Sequence, residues 1–248
     1  MNKIYIMTRQ NNDNSRTTAS IPLFRIGKQT SPKEGSVNTK VVQLTTEEFS
    51  LIVGSLLGDA HIQKRKGSYR LKFTHGATQK AYLTWKYNKL RRFCTTTQGP
   101  TSAVDKKGYE TFTFYTSSGQ WLEPIHRLFY ENVDGKYVKK VTQKLIDSLP
   151  MHPMVLGTWY MDDGSIRNDC YAGKIATQGF TKEENEQLFK YLNKWGILVK
   201  VVKHIEKKNQ YYISIPASSF GKLVEVIEPI VREIPVMVYK LNDSNKTP

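Results

Sequence analysis

The residues with the clearest chemical potential lie in two short motifs, Gly54-Ser55-Leu56-Leu57-Gly58-Asp59 and Gly157-Thr158-Trp159-Tyr160-Met161-Asp162-Asp163-Gly164. Asp59 and Asp163 are 163 − 59 = 104 positions apart, and each closes an apolar run of helical length. Carboxylates are hard oxygen donors suited to Mg²⁺. Two of them brought together on paired helices would form a shared metal site able to hydrolyse a phosphodiester, since cations so held can activate water and offset charge at the phosphate. A single Gly-Asp would be an ordinary helix-ending turn. The same acid-ended helix occurring twice, with matching sequence downstream, is a functional signal.

The charge of the chain suits a polyanionic partner. The 248 residues carry 37 Lys and Arg against 22 Asp and Glu, a formal net charge of +15. Such an excess gains free energy from counterion release when it neutralises phosphates. No apolar run reaches the length of a membrane span, so no membrane partner is expected. Cys94 and Cys170 are the only cysteines and form no Cys-x-x-Cys, which argues against zinc or a disulfide framework. His61, His75, His126, His152 and His204 show no ligand spacing, leaving an oxygen-held hard cation as the expected metal.

The elements that must carry the acids repeat. Thr45 and Glu48 form a capping box before the run Phe49 to Leu57, and Pro153 suits the first position of a helix through Met161. After the first acid, Tyr69, Leu71 and Phe73 alternate with Arg70, Lys72 and Thr74, the pattern of a half-buried strand ending at Thr74-His75-Gly76. The second half ends its strand at Thr177-Gln178-Gly179, an offset of 178 − 75 = 103. Helices are expected over Thr78 to Phe93 and Thr181 to Trp195, the latter with its own capping box from Thr181 and Glu184. Paired strands follow, Gly99 to Val104 with Tyr109 to Thr116, and Ile197 to Ile205 with Gln210 to Ile215. Ser117-Ser118 and Ser218-Ser219 open a last helix in each half.

The fold expected is therefore α+β: two pseudo-symmetric αββαββα repeats, each with an antiparallel sheet, packed through the two motif helices. The organisation expected is a polar basic arm at 1–43, a first repeat at 44–131, a polar linker with the end of the first repeat at 132–152 and a second repeat at 153–248. The arm, with Asp13 and Glu34 as its acids and an Ile21-Pro22-Leu23-Phe24 cluster, reads equally as a disordered arm, the remnant of an upstream reading frame or an organelle transit peptide.

At these residues the chain resembles the LAGLIDADG homing endonucleases in their single-chain, two-repeat form encoded by organellar introns. Ile52 to Ala60 and Leu156 to Gly164 align with the nine-position motif, placing Asp59 and Asp163 at its metal-binding eighth position. The departures are Leu57 at an acidic position, Ala60 at the final glycine and Thr158 at the small third position. The resemblance implies a monomer that cuts double-stranded DNA at a long asymmetric site, leaving short 3′ overhangs. It implies Mg²⁺, with Mn²⁺ or Ca²⁺ substituting in binding, and the carbonyls of Gly58 and Asp162 completing the protein ligands. It also implies residence in a mitochondrion or chloroplast.

Lysines that repeat with the acids, Lys140 and Lys240 (240 − 140 = 100), are expected near the scissile phosphates. Gln178 and His75 occupy strand ends where the family orders active-site water. DNA contacts are expected from His75 and from Lys64, Arg65, Lys66, Arg70 and Lys72, a run with no acid between 60 and 72. Lys106, Lys107, Arg167, Lys200, Lys203, Lys207 and Lys208 mark comparable strands and turns. Sheets of this kind fit the major groove, where base edges carry a readable code. Two other readings keep the scaffold: an RNA maturase that assists splicing of its own intron, and a DNA-binding regulator without cleavage.

Overall fold

A computed structural model describes residues 24–26, 42–204 and 209–241. After a short antiparallel pair, β1 (Phe24–Ile26) with β2 (Val42–Leu44), the first half runs α1 (Thr46–Leu57), β3 (His61–Arg65), β4 (Ser68–Gly76), α2 (Lys80–Leu90), β5 (Thr101–Val104), β6 (Glu110–Tyr115) and α3 (Glu123–Phe129). A hairpin of β7 (Tyr130–Val133) and β8 (Lys136–Lys139) and the short α4 (Gln143–Ser148) follow. The second half runs α5 (Pro153–Asp163), β9 (Gly164–Ile166), β10 (Gly173–Ile175), α6 (Lys182–Lys194), β11 (Lys200–Lys203), β12 (Tyr211–Ile215) and α7 (Ala217–Val231), ending in a 3-10 segment at Pro235–Leu241.

Each half is thus αββαββα, and each holds a four-stranded antiparallel sheet. The strand orders are β3-β4-β6-β5 and β9-β10-β12-β11, the same path traced twice. Both capping boxes form, at Thr45 with Glu48 and at Thr181 with Glu184. The helix expected over Thr78 to Phe93 is an α-helical centre flanked by 3-10 turns. The second-half strand ends at Ile175, short of the end expected at Thr177-Gln178-Gly179. The segment between the repeats is not a plain linker: it folds into the β7–β8 hairpin and α4, whose Leu145 and Ile146 are buried.

The two motif helices occupy the centre. Every residue from Phe49 to Leu57 and from Met154 to Met161 is buried, so both helices are enclosed on all sides. Their closest approach is set by two glycines. A methyl group at Gly54 would lie 2.1 Å from Thr158 Oγ1 and 2.6 Å from the Val155 carbonyl oxygen, and one at Gly58 would lie 2.6 Å from Asp162 Cβ. Gly54 and Thr158 hold the same motif position, as do Gly58 and Asp162. The first helix therefore supplies gaps and the second fills them. Thr158, a departure from the small residue expected, is accommodated by Gly54 and satisfies its hydroxyl by donating to the Met154 carbonyl at 2.7 Å.

The seam should tolerate no added carbon. Gly54→Ala is expected to cost about 3 kcal/mol, the upper end for overpacking a core, because part of what it meets is backbone. Gly76→Ala, which meets nothing within 4 Å, should stay within about 0.5 kcal/mol. Chemical denaturation of the two variants checks the contrast.

Candidate active site

Asp59 follows the end of α1, whose C-cap is Gly58, and Asp163 is the last residue of α5. Packing the two helices side by side brings both carboxylates to one end of the seam. Asp163 is held up at about 7, first by burial and then by the charges of Asp59 and Asp162. Asp59, half-exposed, is also raised, by burial and by Asp162. Two desolvated carboxylates that feel each other's charge form a site short of positive charge.

Asp162 has a different part. Its side chain is fully buried and its oxygens are engaged: Lys86 Nζ donates to Oδ1 at 2.7 Å and to Oδ2 at 3.0 Å, and Tyr82 donates to Oδ1 at 2.8 Å. The backbone N–H of Asp59 donates to Oδ2 at 3.3 Å. His75, also buried, stands 3.7 Å from Asp59 through Nδ1 and 3.7 Å from Asp162 through Nε2. Burial and then the Lys86 charge depress its pKa to about 4, so it is neutral. Asp59, His75 and Asp162 offer ligand atoms within 4.8 Å of one another. With the Asp162 oxygens and His75 Nε2 already paired, the donors open to a cation are the carboxylates of Asp59 and Asp163, a set that fits a hard divalent ion.

Two lysines flank the acids. Lys240, in the final 3-10 segment, is buried and donates to the Gly164 carbonyl. Its counterpart in space is Lys139 rather than Lys140. Lys139 Nζ donates to the carbonyls of Gly58 at 2.9 Å and Ala60 at 3.2 Å. Burial lowers the pKa of both lysines, opposed by Asp59, Asp162 and Asp163. Lys140 instead lies 3.9 Å from Glu184 and is partly exposed. Alternation explains the swap: β8 ends at Lys139, which pairs with Tyr130, and the next side chain points the other way. Gln178 is half-buried just beyond β10, whose following residue Ala176 donates its N–H to the Asp163 carbonyl at 2.9 Å.

With this geometry in place, the comparison with known families is decisive: residues 49–223 match the LAGLIDADG DNA endonuclease family. The chain belongs to that family. It is 29% identical over 219 residues to the DNA endonuclease I-ChuI of Chlamydomonas applanata, covering 83% of this chain and 99% of that protein. It is 28% identical over 221 residues to the cytochrome b mRNA maturase bI2 of Saccharomyces cerevisiae, covering 84% of this chain and spanning 50% of the maturase. Its fold is similar to that of the homing endonuclease I-WcaI, solved bound to its DNA recognition sequence, with a TM-score of 0.67, 24% identity, and coverage of 80% and 87% of the two chains. As a LAGLIDADG endonuclease the chain is a single-chain, site-specific, metal-dependent DNA hydrolase.

The sheets of this LAGLIDADG protein sort the basic residues by face. In the first, register places Arg65, Arg70, Lys72 and Tyr115 on the outer side, where Arg70 stacks 4.1 Å over the Tyr115 ring. Arg65, Arg70, Thr101, Thr113 and Tyr115 line a cleft of about 270 Å³ there. Lys64 lies on the opposite face and donates to the Tyr137 hydroxyl at 2.6 Å. His75 alternates with Lys72 and Thr74 and is buried on the core side, away from the DNA-facing surface expected of it. Lys66, Lys106 and Lys107 are exposed in turns. In the second sheet Lys200 shares the outer face with Ser214 and Lys174, whereas Lys203 sits on the other. Arg167 is exposed but paired with Asp169 at 2.7 Å. Lys207 and Lys208 lie outside the described residues.

Lys86, Tyr82, Lys139 and Lys174 were missed by sequence reading. Lys86 left a usable signal: it falls on the stripe of Tyr82, Leu83 and Leu90, and a lysine on the apolar stripe of a helix requires a buried acid. Lys86→Met should therefore cost about 3–5 kcal/mol by leaving Asp162 unpaired, and adding Asp162→Asn should recover most of it. Urea unfolding of the four corners of that cycle measures the coupling.

A pH test follows from Asp163. Its pKa in the folded protein, about 7, exceeds the 3.8 of the free group, so the folded state holds the extra proton. Stability from this group is full below about 4 and is lost as pH rises to about 7. In EDTA, the melting temperature of Asp163→Asn should gain on the parent protein across that window and level off above it.

Proposed function

We propose that Asp59 and Asp163 hold Mg²⁺ at the base of the paired helices and that this centre cuts both strands of a long, asymmetric DNA site. The observation that carries the assignment is a carboxylate pair at the end of the helix seam, flanked by the buried Lys240 and the half-buried Lys139. Bound there, the ions supply activated water and charge neutralisation at the phosphate. Asp59 and Asp163 orient them, while Lys139 and Lys240 remain tethered to the carbonyls that end the two helices. An ammonium has three N–H donors. Lys139 spends two on Gly58 and Ala60 and Lys240 one on Gly164, leaving donors for phosphate oxygens and a proton source for the departing 3′ oxygen.

The outer faces of the two sheets, with Arg65, Arg70 and Lys72 on one and Lys174 and Lys200 on the other, lie along the grooves on either side of the scissile phosphates. The products carry short 3′ overhangs, Mn²⁺ replaces Mg²⁺, and Ca²⁺ supports binding alone. Repeats at 44–131 and 153–248 form the two halves, and an organellar intron is the source of the gene. The similarity to a cytochrome b mRNA maturase supports a second reading, assistance to splicing of the host intron. Retention of two unneutralised carboxylates favours cleavage, because a protein that only binds gains nothing from acids facing a phosphate backbone.

Incubating the protein with a duplex recovered by selection from a randomised pool tests the reading. Mg²⁺ should give cleavage, while Ca²⁺ or EDTA should give none. Asp59→Asn and Asp163→Asn should each reduce cutting at least about 10³-fold with DNA affinity in Ca²⁺ within about threefold. Lys139→Met should slow cutting far more than Lys140→Met. Equal loss of affinity and cutting in the aspartate variants would show that these residues only shape the fold.

A further inference from the structure

The two halves share their acids and their flanking lysines, yet among the described residues a buried polar hub stands beside Asp59 alone. Its centre is Lys86, whose side chain is fully buried. The three N–H donors of its ammonium have three acceptors at bonding distance: both oxygens of Asp162 and His75 Nε2 at 3.2 Å. Because Lys86 has no lone pair to offer, Nε2 must be the unprotonated nitrogen. The proton of the neutral imidazole then sits on Nδ1, which faces Asp59 Oδ2.

Lys86 thereby reaches Asp59 by two routes. Through His75 it fixes the tautomer whose N–H dipole points toward the Asp59 carboxylate across 3.7 Å. Through Asp162 it anchors the oxygen that accepts the Asp59 backbone N–H. Tyr82 closes the hub by donating to Asp162 and lies 4.3 Å under the ammonium with its ring.

Among the described residues, nothing equivalent stands behind Asp163. At the offset of 103 that relates His75 to Gln178, Lys86 corresponds to Phe189 and Tyr82 to Asn185. Phe189 packs on the apolar core. Asn185 is turned to the backbone carbonyls of Phe180 and Thr181. Gly58 stands where the second half has Asp162.

We propose that Lys86 is a positioning residue for the Asp59 half of the site alone, so that the two DNA strands depend on it unequally. The proposal rests on the nuclease reading above. Positioning within a fraction of an ångström governs such reactions; loss of the hub removes the group that accepts the Asp59 backbone N–H and the ammonium that orients the His75 ring beside Asp59, whereas for Asp163 it changes only the charge of Asp162 next to it.

The test is strand-resolved cleavage of the selected duplex, with each strand labelled separately, in Mg²⁺. Lys86→Met alone leaves a buried acid unpaired, so the informative protein is Lys86→Met/Asp162→Asn, which removes both charges at similar volume; its fold is checked by circular dichroism and by DNA affinity in Ca²⁺. We expect one strand to be cut at least tenfold more slowly and the other within about twofold of the parent, with nicked product accumulating. His75→Asn should slow the same strand. Equal slowing of both strands, or different strands in the two variants, would overturn the role of Lys86 while leaving the nuclease intact. A parent protein that cuts no selected duplex would overturn both.

Discussion

The structure depends on how closely α1 and α5 approach. Gly54 on α1 and Gly58 at its C-cap remove the atoms that would hold the helices apart, and Thr158 and Asp162 of α5 fill the space. That interlock does two things at once. It buries both helices on every side, which makes them the centre of a continuous core, and it brings Asp59 and Asp163, one at the end of each helix, to one end of the seam. Catalytic geometry and folding stability share one contact, so a change that spreads the helices damages both.

The charges around the seam follow from that placement. Asp59, Asp162 and Asp163 face Lys86, Lys139 and Lys240, three acids against three bases, but the pairing is uneven. Asp162 is neutralised by Lys86 in direct contact. Lys139 and Lys240 are tied to backbone carbonyls and act on the remaining acids at longer range. The raised pKa of Asp163 records its burial first and the charges of Asp59 and Asp162 second. A DNA phosphate entering such a site would add to the negative charge, and divalent cations resolve the excess for protein and substrate together. The overall +15 charge suits attraction to DNA, and in the proposed assignment the two acids without a directly bonded lysine are the ones that hold the cations.

Much of this was legible in the sequence because the chain repeats. Both capping boxes, both motif helices and the αββαββα order are local patterns that tertiary structure had no reason to override. The hairpin between the repeats was not, since Asn132 to His152 is polar and its strands are stabilised by docking on β3, where Tyr130 accepts the Ile62 N–H. The choice of Lys139 over Lys140 turned on one position of strand phase, which offset arithmetic between imperfect repeats does not resolve. The faces of Lys64 and Lys203 were lost the same way: a run of basic residues looks uniform until the pleat divides it. The side-chain role of Asp162 was not readable, because its partners Lys86 and Tyr82 come from a helix some 80 residues away in the chain.

The central claim is that the carboxylates of Asp59 and Asp163 meet at the seam and share divalent ions with bound DNA. A crystal structure of the complex with Mn²⁺, read by anomalous scattering, tests it most directly. The account predicts manganese peaks in contact with both carboxylates and with the scissile phosphates between the helix ends. Manganese bound elsewhere, or density that leaves either aspartate without an ion, would contradict it.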